Sequence, residues 1–299
     1  MSPSIHVGPG AQPELANAVE TAGGTVVSLA QADGVVWAGK PDSLPDLPRS
    51  VRWVQLPSAG VEPWMSRIAA TPQVTFTSAA GAYAPQVAEH ALALLVAGLR
   101  GIAASARQQT WRIPPHRTLS GSTVAIVGAG GIGRALIEQL APFGVEVIAV
   151  TRRGHDVPGA ARTLSADQIG EIWGAADHFV IAAPATGATR HLVGAPELAA
   201  MRSHAWIVNI ARGSLIDTGA LVDALREDRI GGAALDVTDP EPLPDGHPLW
   251  TLPNALITPH IANPQAALTR QLARRVRENV ERLASGEALI AQVDAERGY

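Results

Sequence analysis

The chain has 299 residues, of which 46% are apolar and 17% charged, enough to build packed cores in about two domains and not the composition of a disordered or fibrous protein. It contains no cysteine, which excludes disulfides, thiolate nucleophiles, cysteine-ligated zinc and iron–sulfur clusters, and no metal is expected. The formal charge of −4 offers no electrostatic footprint for nucleic acid or an anionic membrane, and of 23 basic residues only Lys40 is a lysine.

The opening MSPSIHVGPG lacks the basic start and apolar core of a signal peptide. The longest apolar stretch, residues 91–99, is 9 residues against the ~20 needed to span a bilayer, so a soluble cytoplasmic protein is expected. In the first third, short β-branched runs at residues 5–7, 25–28, 35–37, 52–55 and 74–77 alternate with turn clusters and amphipathic pieces such as 14–22. From Ser122 the pattern restarts more strongly, at 124–127, 145–150, 178–182, 206–210, 232–236 and 255–258. Near-continuous apolar runs of this kind are what buried parallel strands require.

Two long helices bracket the second block. One is expected from about Pro85 to Leu99 with Pro85 at its first position; the other follows Asn263-Pro264 as cap and N1 pair and stops at Gly286. The second repeats Leu268, Leu272, Val276 and Val280 on one face. The expected fold class is α/β: two Rossmann-like or flavodoxin-like doubly wound parallel-sheet domains with a cleft between them. Residues 1–96 plus 265–299 would form a substrate-binding domain, and 97–264 a dinucleotide-binding domain.

Gly128-Ala129-Gly130-Gly131-Ile132-Gly133 follows a strand and opens a helix, the context a dinucleotide fingerprint demands. Gly128 makes the tight turn, Gly130 lets backbone approach a pyrophosphate, Gly133 allows close helix–strand packing, and the helix N-terminus offers N–H groups to the phosphates. The next strand ends in Thr151-Arg152-Arg153, where an NAD site usually carries an acidic residue. Two guanidiniums in place of a carboxylate suit a 2′-phosphate, so NADP(H) is preferred, with NAD(H) possible.

Three polar residues follow late strands: Arg212, Glu241 and His260. Singly, each has an ordinary structural explanation; together they are the set that reduces a 2-oxoacid. A guanidinium bridges the carboxylate and polarises the carbonyl, and an imidazolium supplies the proton. A neighbouring carboxylate orients the imidazole and favours its charged form.

These motifs, with Pro85-Gln-Val-Ala-Glu-His-Ala-Leu-Ala-Leu-Leu95, the Asp236…Glu241-Pro-Leu-Pro loop and Thr258-Pro-His260-Ile, resemble the D-isomer-specific 2-hydroxyacid dehydrogenase family over nearly the whole chain. In character the chain is closest to its NADPH-dependent glyoxylate/hydroxypyruvate reductases. The resemblance implies Arg212, Glu241 and His260 as catalytic residues. It implies cofactor contacts from Gly128, Gly130, Gly131, Ile132, Gly133, Thr151, Arg152, Arg153, Ala183, Pro184, Thr189, Ile210, Ala211, Asp236 and His260, with Asp236 a partner for the nicotinamide carboxamide. Ser58, Ala59 and Gly60 look like the substrate loop, with Arg212 the side-chain anchor. The implied partners are a small 2-oxoacid and a second copy in a homodimer. Trp64, Met65, Trp111 and Trp250 are candidates for a pocket wall, and equally for core or subunit interface. The continuation Ile-Ala-Asn-Pro-Gln after His260 departs from the commoner Gly- or Ser-rich one. A non-catalytic dinucleotide sensor of the corepressor type is the alternative, against which the intact Arg–Glu–His set argues.

Overall fold

In the computed structural model, which describes residues 2–295 (without the side chains of 265 and 266), the described strands form two all-parallel sheets, one in each of two units of the chain. Residues 1–83 and 264–299 make the first unit, and 84–263 the second.

The first unit contains β1 (Ser4–Gly8), α1 (Pro13–Thr21), β2 (Thr25–Val26), β3 (Gly34–Trp37), β4 (Trp53–Gln55), α2 (Met65–Ala70) and β5 (Thr75–Thr77). The strands pair in the order β2-β1-β3-β4-β5, with the reversal between β1 and β3 that marks a flavodoxin-like sheet. Its core packs Val35, Trp37, Val54, Leu56, Trp64 and Phe76, side chains whose burial contributes ~1.5–3 kcal/mol each. Trp64 is 2% exposed within this core, so of the roles open to it from sequence, pocket wall, core or subunit interface, it takes that of core packing. The C-terminal helix, Gln265–Ser285, packs against α1 and buries Leu272, Val276 and Val280, while Leu268 is half-buried. Pro264 is its cap residue rather than its first helical residue, and Gly286 ends it at φ +73°.

The second unit starts with α3 (Ala84–Leu99) and α4 (Ile102–Arg107). It continues through β6 (Thr123–Val127), α5 (Gly131–Leu140), β7 (Glu146–Thr151), β8 (Arg162–Ser165), α6 (Ile172–Ala175) and β9 (His178–Ile181). The remaining elements are α7 (Ala195–Ala200), β10 (Trp206–Asn209), α8 (Thr218–Arg226), β11 (Gly232–Leu235) and β12 (Ala255–Ile257). The strand order β12-β11-β10-β9-β6-β7-β8 is that of a Rossmann sheet, switching direction between β6 and β9. The edge strand β8, with exposed Arg162 and only Leu164 fully buried, lacks the apolar run that announces the others.

The first boundary therefore lies at residues 83/84, not 96/97 as expected from sequence. The reason is packing: α3 lies against α5 and against β10 and β11, so the whole helix belongs to the second unit. Among the described residues, no helix is long and apolar enough to cross a membrane.

Candidate active site

The glycine turn sits at the carboxyl end of β6, beside the switch point. Gly128 has φ +98°, and a Cβ there would lie 2.6 Å from the Ala182 carbonyl carbon and the Ala183 nitrogen, so only glycine lets the turn pass this close to the end of β9. A Cβ on Gly133 would meet the Gly128 carbonyl oxygen at 2.6 Å, which accounts for the close helix–strand packing expected of it. At Gly130 a Cβ would meet nothing within 4 Å. Open space therefore faces the start of α5, a 10-residue helix whose cap is glycine and brings no side chain to its first N–H groups. These residues fit the pyrophosphate of a dinucleotide.

The amides of Gly128 and Ala129 both donate to the Val150 carbonyl, at 2.9 and 3.2 Å, which ties this turn to the end of β7. Thr151 follows directly. Its hydroxyl accepts from the Gly154 amide at 3.0 Å, bending the segment so that Arg152 and Arg153 lie exposed at the tip. At the end of β9, the Thr189 hydroxyl donates to the Pro184 carbonyl at 2.7 Å and accepts from the Thr186 amide at 2.8 Å, closing the 184–189 loop that follows Ala183.

Arg212, Glu241 and His260 arrive from neighbouring strands. In register, Asn209 of β10 faces Leu235 of β11, and Leu235 faces Ile257 of β12, so all three loops leave one sheet edge together. Buried Asn209 shapes the first loop: its amide donates to the Arg212 carbonyl at 2.9 Å and its oxygen accepts from the Ala211 amide at 3.1 Å. Ile210 and Ala211 are buried between these bonds, and the half-buried Arg212 guanidinium donates to the Ala211 carbonyl at 2.7 Å. A Cβ on Gly213 would lie 1.9 Å from the Thr238 carbonyl carbon, so the second loop runs directly over this glycine. The Thr218 hydroxyl secures it further, donating to the Asp239 carbonyl at 2.7 Å.

Glu241 then meets His260. Its Oε1 lies 2.6 Å from His260 Nδ1. A carboxylate only accepts, so Nδ1 carries the proton of this bond and Nε2 is left as the nitrogen available to a substrate. His260 is 52% exposed in its side chain and sits at φ +53°, a left-handed conformation costing about 1–2 kcal/mol in a residue other than glycine.

Asp236 holds that turn. Its backbone carbonyl accepts from the His260 amide at 2.8 Å. Its carboxylate accepts from Ile261 N at 2.9 Å, Ala262 N at 3.0 Å and the Thr258 hydroxyl at 2.6 Å, and lies 3.2 Å from His90 Nε2. Burial by itself would raise the Asp236 carboxyl, but these hydrogen bonds outweigh it and hold the group down at about 2. The carboxylate expected to meet a nicotinamide carboxamide is thus also a structural anchor. Sequence reasoning gave no role to His90 and Thr258; the available signal was a histidine directly before the apolar run Ala91–Leu95 of a helix.

The loop 56–61, expected from the resemblance to meet substrate, lies in the first unit. There the Tyr83 hydroxyl donates to the Pro57 carbonyl at 2.7 Å, the Ala79 amide to the Ser58 carbonyl at 2.9 Å, and the Ser58 hydroxyl to the Gly60 carbonyl at 2.6 Å. Ala59 is exposed between them. Of the other aromatic candidates, Trp111 is fully exposed and Trp250 is 44% exposed, its indole N–H on the Pro244 carbonyl. Met65 packs against the first-unit core.

A Rossmann sheet with an open glycine turn, and an Arg, a Glu and a His gathered along its carboxyl edge, define a nucleotide-dependent oxidoreductase. The chain belongs to the D-isomer specific 2-hydroxyacid dehydrogenases: the family's NAD-binding domain matches residues 90–262. It is 41% identical over 297 residues to an uncharacterized protein encoded in the proB 3′ region of Corynebacterium melassecola, covering 96% of this chain and 97% of that one. It is 35% identical over 179 residues to a glyoxylate reductase of Thermofilum pendens, covering 60% of this chain and about half, 53%, of that enzyme. The crystal structure of an NADPH-dependent glyoxylate/hydroxypyruvate reductase from Sinorhizobium meliloti, in complex with NADP and sulfate, superposes with a TM-score of 0.82 at 26% identity, covering all of both chains.

Proposed function

We propose that this protein is an NADP(H)-dependent reductase of small 2-oxoacids, of the glyoxylate or hydroxypyruvate type. The observation that carries the reading is the 2.6 Å bond between His260 Nδ1 and Glu241, on a loop edge shared with Arg212. Bound at the glycine turn, the reduced nicotinamide cofactor supplies the hydride. The Arg212 guanidinium anchors the substrate carboxylate and polarises the carbonyl. His260, in its imidazolium form, gives the Nε2 proton to the oxygen that gains charge, and Glu241 holds the ring with Nε2 outward throughout. Asp236 receives the carboxamide.

Arg152 and Arg153 favour the 2′-phosphate of NADP(H). The same proposal includes cytoplasmic placement and a homodimer. Trp111 and Ile113, fully and 80% exposed on the irregular stretch after α4, are apolar surface that a second copy would cover.

The test is absorbance at 340 nm with NADPH and a panel of 2-oxoacids from glyoxylate to larger apolar ones. Turnover is expected with the small members and abolished in His260→Ala. Absence of turnover with every member would overturn the reading.

A further inference from the structure

We infer that His90, on α3, is a positioning residue for this reaction, tying the helix to the pair that holds the His260 turn. Its Nε2 lies 3.1 Å from Thr258 Oγ1 and 3.2 Å from Asp236 Oδ1. Counting protons fixes its form. Asp236 is an ionised acceptor 2.6 Å from the Thr258 hydroxyl, so the one hydroxyl proton goes to the carboxylate. Thr258 Oγ1 therefore presents only lone pairs to His90, and the Nε2 of His90 must carry a hydrogen. The imidazole donates into both groups at once.

This link matters because of what hangs from it. Asp236 is 2% exposed and takes the Thr258 hydroxyl and the Ile261 and Ala262 amides on its carboxylate, and the His260 amide on its carbonyl. Those bonds keep a non-glycine residue in a left-handed conformation at position 260. Without the His90 donor, Thr258 and Asp236 lose their tie to a helix that is packed against α5, β10 and β11. The turn then gains freedom, and the His260 ring spends less time with Nε2 in the productive direction. Arg212 leaves a different strand and is held by Asn209, so substrate anchoring is spared. Turnover falls while KM holds.

The inference rests on His260 as proton donor, and the test separates the two. Long-range imidazole 15N spectra of the whole protein, assigned with His90→Gln, are expected to show the Nε2–H tautomer at His90; this needs no substrate. His90→Phe fills the space without a donor and should lose kcat roughly 30- to 100-fold, with KM for the 2-oxoacid within about threefold. His90→Gln, whose amide nitrogen reaches the same position, should recover kcat to within about fivefold of wild type. NADPH affinity, measured by tryptophan fluorescence, should weaken in the Phe variant and recover in the Gln variant, since Asp236 is shared. An Nδ1–H tautomer at His90 would overturn the inference, as would wild-type kcat in His90→Phe or a Gln variant no better than Phe. No turnover in wild type would count against the reductase reading instead, with the tautomer spectrum still deciding the tie.

Discussion

His260 Nδ1 and Glu241 Oε1 stand 2.6 Å apart, although the two residues leave different strands, β12 and β11. The bond occupies Nδ1 and leaves Nε2 clear of the carboxylate. Replacing Glu241 by Gln keeps a hydrogen-bonding oxygen but removes the charge beside the ring, so kcat for reduction should fall about tenfold or more. His260→Ala should cost several orders of magnitude in turnover with NADPH binding kept. A Glu241→Gln variant with wild-type kcat would dissolve the pairing.

Arg212 carries a planar fork that can reach carboxylate and carbonyl together, a geometry lysine cannot copy. Arg212→Lys should raise KM for the 2-oxoacid and lower kcat. Near-wild-type kinetics would show that the substrate is anchored elsewhere, with Arg190 or Arg100 the next to test.

Gly213 lets the Glu241 loop cross the Arg212 loop: a Cβ added there would lie 1.9 Å from the Thr238 carbonyl carbon. Gly213→Ala must push the Thr238–Asp239 backbone away, so it should destabilise the fold by about 1–3 kcal/mol and reduce kcat. Thermal melting alongside kcat reads both. A variant with unchanged melting temperature and unchanged rate would contradict the close crossing.

On the proposed reading, cofactor choice is expected to follow from the tip of the 151–154 segment. A charged hydrogen bond contributes ~1.5–3 kcal/mol, so two would favour NADPH over NADH by roughly 10²-fold or more. Both arginines are exposed, so the ratio should shrink with added salt. The ratio of kcat/KM for the two cofactors, in wild type and in Arg152→Ala/Arg153→Ala, measures it. A ratio unaltered in the double variant would make these arginines surface charge only.

At the opposite edge of the same sheet, His178 is 2% exposed and its Nδ1 accepts from the Trp206 amide at 3.3 Å. Burial pushes it down to about 4; Asp177 pulls it upward, and His204 and Arg117 add to the lowering. Its folded-state value is below the unfolded one, so its stabilisation is whole above about 6.5 and is lost as pH falls toward 4, a term on the order of 3 kcal/mol. Asp177 and Asp236, held at about 2, lose theirs only at lower pH. His178→Asn keeps an acceptor and removes the titration. Urea unfolding at pH 7, 5.5 and 4.5 should show a shallower acid loss in that variant than in wild type; equal slopes would refute the assignment.

Much of this was legible in the chain alone. β6, β7, β9 and β10 are apolar runs because both faces of a parallel sheet are covered, and that pattern survives in one dimension. The glycine turn was legible because close backbone approach excludes a Cβ at Gly128 and Gly133 whatever surrounds them. Arg212, Glu241 and His260 stood out because each follows a strand, at the edge where such sheets gather their loops. Other features needed the third dimension. Trp64 reads equally as pocket wall, core or interface until its neighbours are known, and they make it core. The unit boundary moved to residues 83/84 because α3 buries its face on α5, a contact with no local signature. The partnership of His90 with Asp236 and Thr258 also joins residues far apart in sequence. Local propensity and periodicity record only whether a residue is buried. Which donor meets which acceptor is decided when sheets and helices pack, because a hydrogen bond depends on distances that the order of residues does not contain.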